Sequence, residues 1–83
     1  FEASNEARVC ILVGEGGNFC AGADLKAVGS PSESLELRHP SHDPGSRGPI
    51  GPTRMQLSKP LLAAVDGYAV VGGLELALLA DLR

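Results

Sequence analysis

Three features are scarce in this sequence of 83 residues: long apolar runs, net positive charge and cysteine. No apolar stretch approaches the roughly 20 residues of a membrane-spanning helix, so we expect no membrane association. The net charge of −3 argues against a general nucleic-acid binder. The spacing of Cys10 and Cys20 is typical of neither a zinc site nor a disulfide framework. We therefore expect a reducing, cytoplasmic environment, or a mitochondrial one in a eukaryote.

Charge is distributed unevenly along the chain. Residues 1–37 contain six acidic and two basic residues, whereas residues 38–59 contain four basic residues and one acidic residue. The second segment is either a solvated loop or a surface that meets phosphate groups.

Apolar runs alternate with glycines in an order that predicts an α/β fold. Residues 9–13 and 61–65 are apolar, as is typical of strands buried on both faces of a sheet. Residues 68–71 predict a third short strand. Residues 74–80 predict a buried helix, and residues 24–28 predict the start of a short one.

Residues 29–56 predict a long flexible loop, because they are rich in Ser, Pro, Gly and His. His39 and His42 lie beside Asp43 in this segment. No helix is expected to hold their spacing, so we predict no metal site.

The segment from Gly72 to Asp81 places one acidic residue, Glu75, in the first turn of an apolar helix behind a glycine pair. A carboxylate is costly on a buried apolar helix unless something uses it. The N–H of Gly72 lies at the positive end of the helix dipole. A positioned N–H beside an acid or base suits acyl-transfer or enolate chemistry. The alternative is a structural helix start in which Glu75 only complements the dipole.

A second glycine-rich segment, residues 14–22, follows the first predicted strand. It matches neither of two phosphate-binding patterns. A dinucleotide fingerprint starting at Gly14 requires glycine where Phe19 stands, and a P-loop ending at Gly22 requires lysine where Ala23 stands.

Two blocks together resemble the crotonase superfamily, the enoyl-CoA hydratase/isomerase family. The family's first loop, F-x-A-G-A-D-[LI]-K, matches residues 19–26. Its second block, K-P-x-[IL]-A-A-V-x-G-x-A-x-G-G-G-x-E-L, matches residues 59–76 except that Val71 replaces the first of three glycines. The resemblance implies a partial crotonase-like domain over residues 1–83, belonging to the N-terminal half of a longer chain.

The resemblance also implies the site residues. The N–H groups of Ala23 and Gly72 would bind the thioester oxygen of an acyl-CoA and stabilise an enolate-like oxyanion. Glu75 would be the first of two catalytic glutamates of a hydratase, and the second is not within these residues. The substrate-binding residues implied are Ala21, Ala23, Asp24, Leu25, Lys26, Tyr68, Val71 and Gly72.

The function implied is hydration of a 2-enoyl-CoA, the reaction of a lyase of fatty acid metabolism. Double-bond isomerisation or thioester hydrolysis in the same pocket, or a truncated non-catalytic chain, remain alternatives. No cofactor is expected, because the substrate itself carries coenzyme A. Relatives of this kind are usually trimers or hexamers, so a homotrimer or hexamer is expected for the longer protein.

Overall fold

The computed structural model describes residues 1–27 and 45–83. Their regular elements are strand β1, a 3-10 helix, strand β2 and helix α1, in the order Cys10–Val13, Pro52–Arg54, Leu61–Ala64 and Gly72–Leu79. Strands β1 and β2 pair in parallel, with Cys10 opposite Leu61 and Val13 opposite Ala64. Parallel strands need a long connection, and here it comprises residues 14–60.

Strands β1 and β2 and helix α1 confirm the predicted α/β class. Strand β1 begins at Cys10 rather than Val9, and β2 ends at Ala64 rather than Val65. Helix α1 begins at Gly72, two residues before the predicted start at Leu74. The glycine pair thus forms the first turn of the helix.

The prediction of a third strand over residues 68–71 is wrong. Ala69 forms only an isolated parallel bridge with Cys20. The Tyr68 carbonyl accepts the N–H groups of Phe19 and Cys20 at 2.9 and 3.0 Å, and the Cys20 carbonyl accepts the N–H of Val70 at 3.1 Å. This segment therefore uses its hydrogen bonds to hold the first glycine-rich loop beside the start of α1.

The prediction that the sheet is buried on both faces is also wrong for the described residues. The buried side chains come from β2, the first loop and the C-terminal part of α1 with the residue after it: Phe19, Leu61, Ala63, Ala77 and Ala80. Cys10 and Leu12 of β1 are half-buried and pack against them. On the other face, Ile11 and Val13 are 63% and 65% exposed. Alternation of burial along β1 follows from the two-residue period of a strand.

Helix α1 is buried along only one stripe. Gly72, Gly73 and Ala77 are buried, whereas Leu74 and Leu78 are 49% and 59% exposed. Glu75 is exposed as well. The expectation of a buried helix is therefore wrong. Because Glu75 is exposed, placing its carboxylate on this helix costs little desolvation free energy in the described structure.

The end of the chain returns to β2. The Asp81 carboxylate accepts the N–H of Leu61 at 2.8 Å, and Leu82 forms a parallel bridge with Leu62. The Arg83 guanidinium donates to the carbonyls of Ala77 and Ala80 at 3.1 and 3.2 Å. The Ala80 carbonyl thereby gains a partner, and the Ala77 carbonyl, which also accepts the N–H of Ala80 at 3.3 Å, gains a second one.

The helix predicted over residues 24–28 is, in its described part, a single turn in which Ala27 donates to the Asp24 carbonyl at 3.0 Å. Of the loop predicted over residues 29–56, residues 29–44 lie outside the described part. The remainder contains the 3-10 helix and a bridge between Gly48 and Gly51.

Candidate active site

The first glycine-rich loop and the start of α1 are in close contact. Gly22 has φ of +93°, and a Cβ built on it would lie 2.9 Å from the Gly72 nitrogen. A Cβ on Gly73 would overlap the Cys20 carbonyl. Glycine is needed at these positions because backbone meets backbone there. The contact brings Ala23, the residue after Gly22, to the helix N-terminus.

The helix begins in an unusual backbone turn at Val71. Val71 has φ of 55° and ψ of −124°, and the Val70 carbonyl accepts the N–H of Gly73 at 2.9 Å. These angles belong to the first central position of a type II′ turn, which glycine dominates and a β-branched residue rarely adopts. The Val71 carbonyl accepts the N–H groups of Leu74 and Glu75 at 3.1 and 3.3 Å, which holds the residue in this conformation. Its ψ also sets the orientation of the Val71–Gly72 peptide, and hence of the Gly72 N–H.

Two backbone donors at this contact have no acceptor among the described residues. Within residues 1–27 and 45–83, neither the N–H of Ala23 nor that of Gly72 donates a hydrogen bond. The other N–H groups of the first helical turn are bonded to Val70 or Val71. Gly72 is buried, and a buried N–H without a partner is uncommon in proteins. The two N–H groups can therefore donate hydrogen bonds to an oxygen atom of a ligand.

An open cleft of about 810 Å³ lies at these two residues. Ala23, Val71, Gly72 and Glu75 line it, so the structure brings together the three predicted catalytic residues. Glu75 lies in the first turn of α1, where the helix dipole favours a negative charge. The cleft thus combines two N–H donors with one carboxylate.

The opposite wall of the cleft was missed by the sequence analysis. It comes from the segment predicted to be a flexible loop and consists of Pro49, Ile50, Thr53 and Arg54. A Cβ on Gly72 would lie 2.9 Å from Ile50 Cδ1, so this side chain packs against the helix start. The available signal was weak: an apolar residue between two Gly-Pro pairs. Arg54 places one guanidinium of the basic segment at the cleft.

Five residues predicted to bind substrate are not among those that line this cleft: Ala21, Asp24, Leu25, Lys26 and Tyr68. Leu25 and Tyr68 are 86% and 71% exposed. The Lys26 N–H donates to Asp24 Oδ1 at 2.9 Å, which fixes the turn after the first loop. Their roles toward the coenzyme A part of a substrate remain predictions.

A shifted pKa occurs far from the cleft, at Glu2. Its carboxylate accepts the N–H of Ser58 at 2.8 Å, and this bond is the main cause that lowers the pKa of Glu2 below its ordinary value. Partial desolvation opposes the shift, and the nearby charge of Lys59 adds to it. The shift therefore marks a structural contact between the N-terminal segment and the residues just before β2.

Neither a metal site nor a membrane span is found in the described part of the chain. No three or more His, Cys, Asp or Glu side chains are grouped there as metal ligands would be. His39, His42 and Asp43 lie outside that part. No helix in it has the length and hydropathy to cross a bilayer.

Two parallel strands followed by a helix define an α/β protein, and the N-terminus of that helix lies at a cleft that Ala23 also lines. The family model described as enoyl-CoA hydratase/isomerase matches residues 1–83. The chain therefore belongs to the enoyl-CoA hydratase/isomerase family, and the crotonase resemblance is confirmed.

Relatives and a solved structure agree with this assignment. The chain is 41% identical to enoyl-CoA hydratase EchA19 of Mycobacterium tuberculosis, over 94% of this chain and 29% of that protein. It is 44% identical to carnitinyl-CoA dehydratase of Proteus mirabilis, over 99% of this chain and 30% of that protein. The crystal structure of enoyl-CoA hydratase EchA1 from Mycobacterium marinum superposes with a TM-score of 0.76 at 47% identity, covering 98% of this chain and 29% of that one. The chain thus has part of the crotonase fold and spans about 30% of the length of these relatives.

Proposed function

We propose that the protein containing this chain binds an acyl-CoA through its thioester oxygen and hydrates a 2-enoyl-CoA. The observation that carries the proposal is the pair of backbone N–H groups, on Ala23 and Gly72, that have no acceptor within residues 1–27 and 45–83. Their meeting at one cleft with Glu75 supports it further. The names of the relatives support the same class of reaction.

The mechanism begins with the thioester oxygen between the two N–H groups. When water adds to the β-carbon of the enoyl group, negative charge moves through the α-carbon onto this oxygen. Donors that are already oriented stabilise that charge without reorganising, and the dipole of α1 acts in the same direction. The α-carbon then takes up a proton in exchange for the one that the water has given to a carboxylate, which completes the 3-hydroxyacyl-CoA.

Glu75 is the acid–base group in this proposal. As a carboxylate it accepts a proton from the attacking water and orients that water toward the β-carbon. The family's hydratases use a second carboxylate with it. We propose that the longer protein supplies that group.

Isomerisation of the double bond is the second candidate. Within the described residues, Glu75 is the only acidic side chain lining the cleft. A single carboxylate is sufficient to move a proton between the α- and γ-carbons of an enoyl-CoA over the same oxyanion donors. Hydration incorporates solvent oxygen into the product and isomerisation does not, so labelled water distinguishes the two reactions.

The Gly72 donor provides the sharpest test of the proposal. Gly72→Pro in the full-length protein removes the N–H at the first position of α1, where the fixed φ of proline suits a helix, and its ring also meets Ile50 and Gly22. We expect kcat for 2-enoyl-CoA hydration to fall several hundredfold, since one oxyanion donor contributes about 3 kcal/mol.

Gly72→Ala is the matched control, because it keeps the N–H and adds only a Cβ. That Cβ would meet the flexible end of Ile50, 2.9 Å away, and the Gly22 Cα at 3.2 Å. The double variant Gly72→Ala with Ile50→Val gives part of that space back. Equal losses in the proline variant and in both alanine variants would show that shape, and not the N–H, matters at this position.

A further inference from the structure

Val71 is retained in a conformation that costs free energy. A valine with φ of 55° and ψ of −124° occupies a region that is largely restricted to glycine. Its side chain is 76% exposed, so burial of the isopropyl group does not compensate for the strain. Strained residues of this kind concentrate where ligands bind.

The side chain of Val71 lies beside both oxyanion donors. It precedes Gly72 in the chain, and its Cβ lies 3.3 Å from the position that a Cβ on Gly22 would occupy. Gly22 in turn precedes Ala23. Val71 also lines the cleft that contains Ala23, Gly72 and Glu75. Any oxygen that accepts from both N–H groups therefore places its carbonyl carbon near the isopropyl group.

A thioester carbonyl carbon has two substituents. One is the sulfur, which is the same in every coenzyme A ester. The other is the α-carbon, which differs between unbranched and α-substituted acyl groups. Among acyl groups bound through this oxygen, a difference in bulk directly next to the carbonyl carbon therefore arises at the α-carbon.

We propose that Val71 is a specificity-determining residue that favours acyl-CoA substrates without a substituent at the α-carbon. The inference rests on the proposed binding of the thioester oxygen at Ala23 and Gly72. A single methyl group changes discrimination by about 10- to 200-fold in a closed apolar pocket, and in this open cleft we expect the lower end of that range.

The test compares two pairs of ligands in the full-length protein. Calorimetry measures the affinities of butyryl-CoA and its α-methyl derivative, which need no turnover. Hydration assays measure kcat/KM for crotonyl-CoA and its α-methyl derivative. We expect the natural protein to prefer the unbranched member of each pair, and Val71→Ala and Val71→Gly to reduce both preferences by about tenfold or more.

The variants separate size from strain. Val71→Ala removes the two methyl groups and keeps the Cβ and the strained φ, whereas Val71→Gly removes the strain as well. Val71→Thr preserves the shape and should preserve the preference. Val70→Ala changes a neighbouring valine that does not line the cleft, so it should preserve the preference too.

The outcomes distinguish the inference from the proposed function. Binding preferences that fall in Val71→Ala without any turnover by the natural protein would support the inference and contradict hydration. Turnover with preferences unchanged in Val71→Ala and Val71→Gly would overturn the inference and leave hydration standing. Absence of binding by both saturated ligands would overturn both.

Discussion

At the scale of single residues, the cleft depends on one carboxylate. Glu75→Gln keeps the size of the side chain and its place in the first turn of α1, but removes the base. We expect the hydration rate of the full-length protein to fall by about 10²- to 10⁴-fold, the usual contribution of a general acid–base group. A steady-state assay that follows loss of the conjugated enoyl group measures this.

Glu15→Gln is the control for Glu75→Gln. Glu15 is an exposed glutamate of the first loop, and it does not line the cleft. The same loss of charge there should leave the rate unchanged. If Glu75→Gln retained the full rate, Glu75 would be only a complement to the helix dipole, the structural alternative for this residue.

The site residues that motifs predicted depend on local sequence, whereas those that motifs missed depend on the tertiary structure. Gly72 and Glu75 were predicted from a glycine pair before an apolar helix, and Ala23 from the resemblance to the crotonase superfamily. The structure shows why glycines stand beside them: Gly22 has a positive φ, and Gly73 contacts the backbone of Cys20. Ile50 and Arg54 reach the same cleft through the tertiary course of a long connection. No local rule of spacing encodes that course, so sequence reasoning assigned them to a loop.

At the scale of elements, the packing of α1 on the first loop orders the cleft. Gly73→Ala would place a methyl group on the Cys20 carbonyl, and backbone on both sides prevents easy relief. We expect a loss of about 3 kcal/mol in the free energy of unfolding, at the upper end of the usual cost of overpacking. Urea unfolding of the full-length protein measures the loss.

Leu74→Ala serves as the comparison for Gly73→Ala. Leu74 is the next residue of α1 and is 49% exposed, so its truncation should cost much less. A Gly73→Ala protein as stable as the natural one would mean that the loop and the helix separate readily, and that the close contact does not hold the two donors.

The elements themselves were largely readable from the sequence, because each long strand and the helix has a continuous apolar pattern. The exception was the segment at residues 68–71. Its pattern resembles a strand, but its hydrogen bonds go to Phe19 and Cys20 of the loop rather than to a neighbouring strand. Pairing partners are a tertiary property, and strand propensity does not specify them.

At the scale of the whole molecule, the N-terminal segment is tied to the residues before β2. Glu2 accepts the N–H of Ser58, and Lys59 Nζ donates to the carbonyls of Phe1 and Ser4. Because the folded state lowers the pKa of Glu2, the bond contributes stability at pH values above the unfolded-state pKa. That contribution is lost as the pH falls through the lower, folded-state pKa.

We therefore expect Glu2→Gln to lower the Tm of the full-length protein at neutral pH and to have a progressively smaller effect on acidification. Glu6→Gln removes the same charge from an exposed residue of the same segment and is the control. Melting curves at a series of pH values test this. A Tm difference between the natural protein and Glu2→Gln that stayed constant down to strongly acidic pH would contradict the role given to this bond.

The pairing of residues 10–13 with residues 61–64 has a consequence for the order of folding. Ala23 lies in the connection between β1 and β2, and Gly72 lies after β2. Their N–H groups cannot bind one shared oxygen until the two strands have paired. Contacts between residues so distant in sequence form slowly, and parallel ladders are among the slowest. A refolding chain therefore gains its local helical structure before its affinity for a thioester, and recovery of ligand binding follows the pairing of β1 with β2.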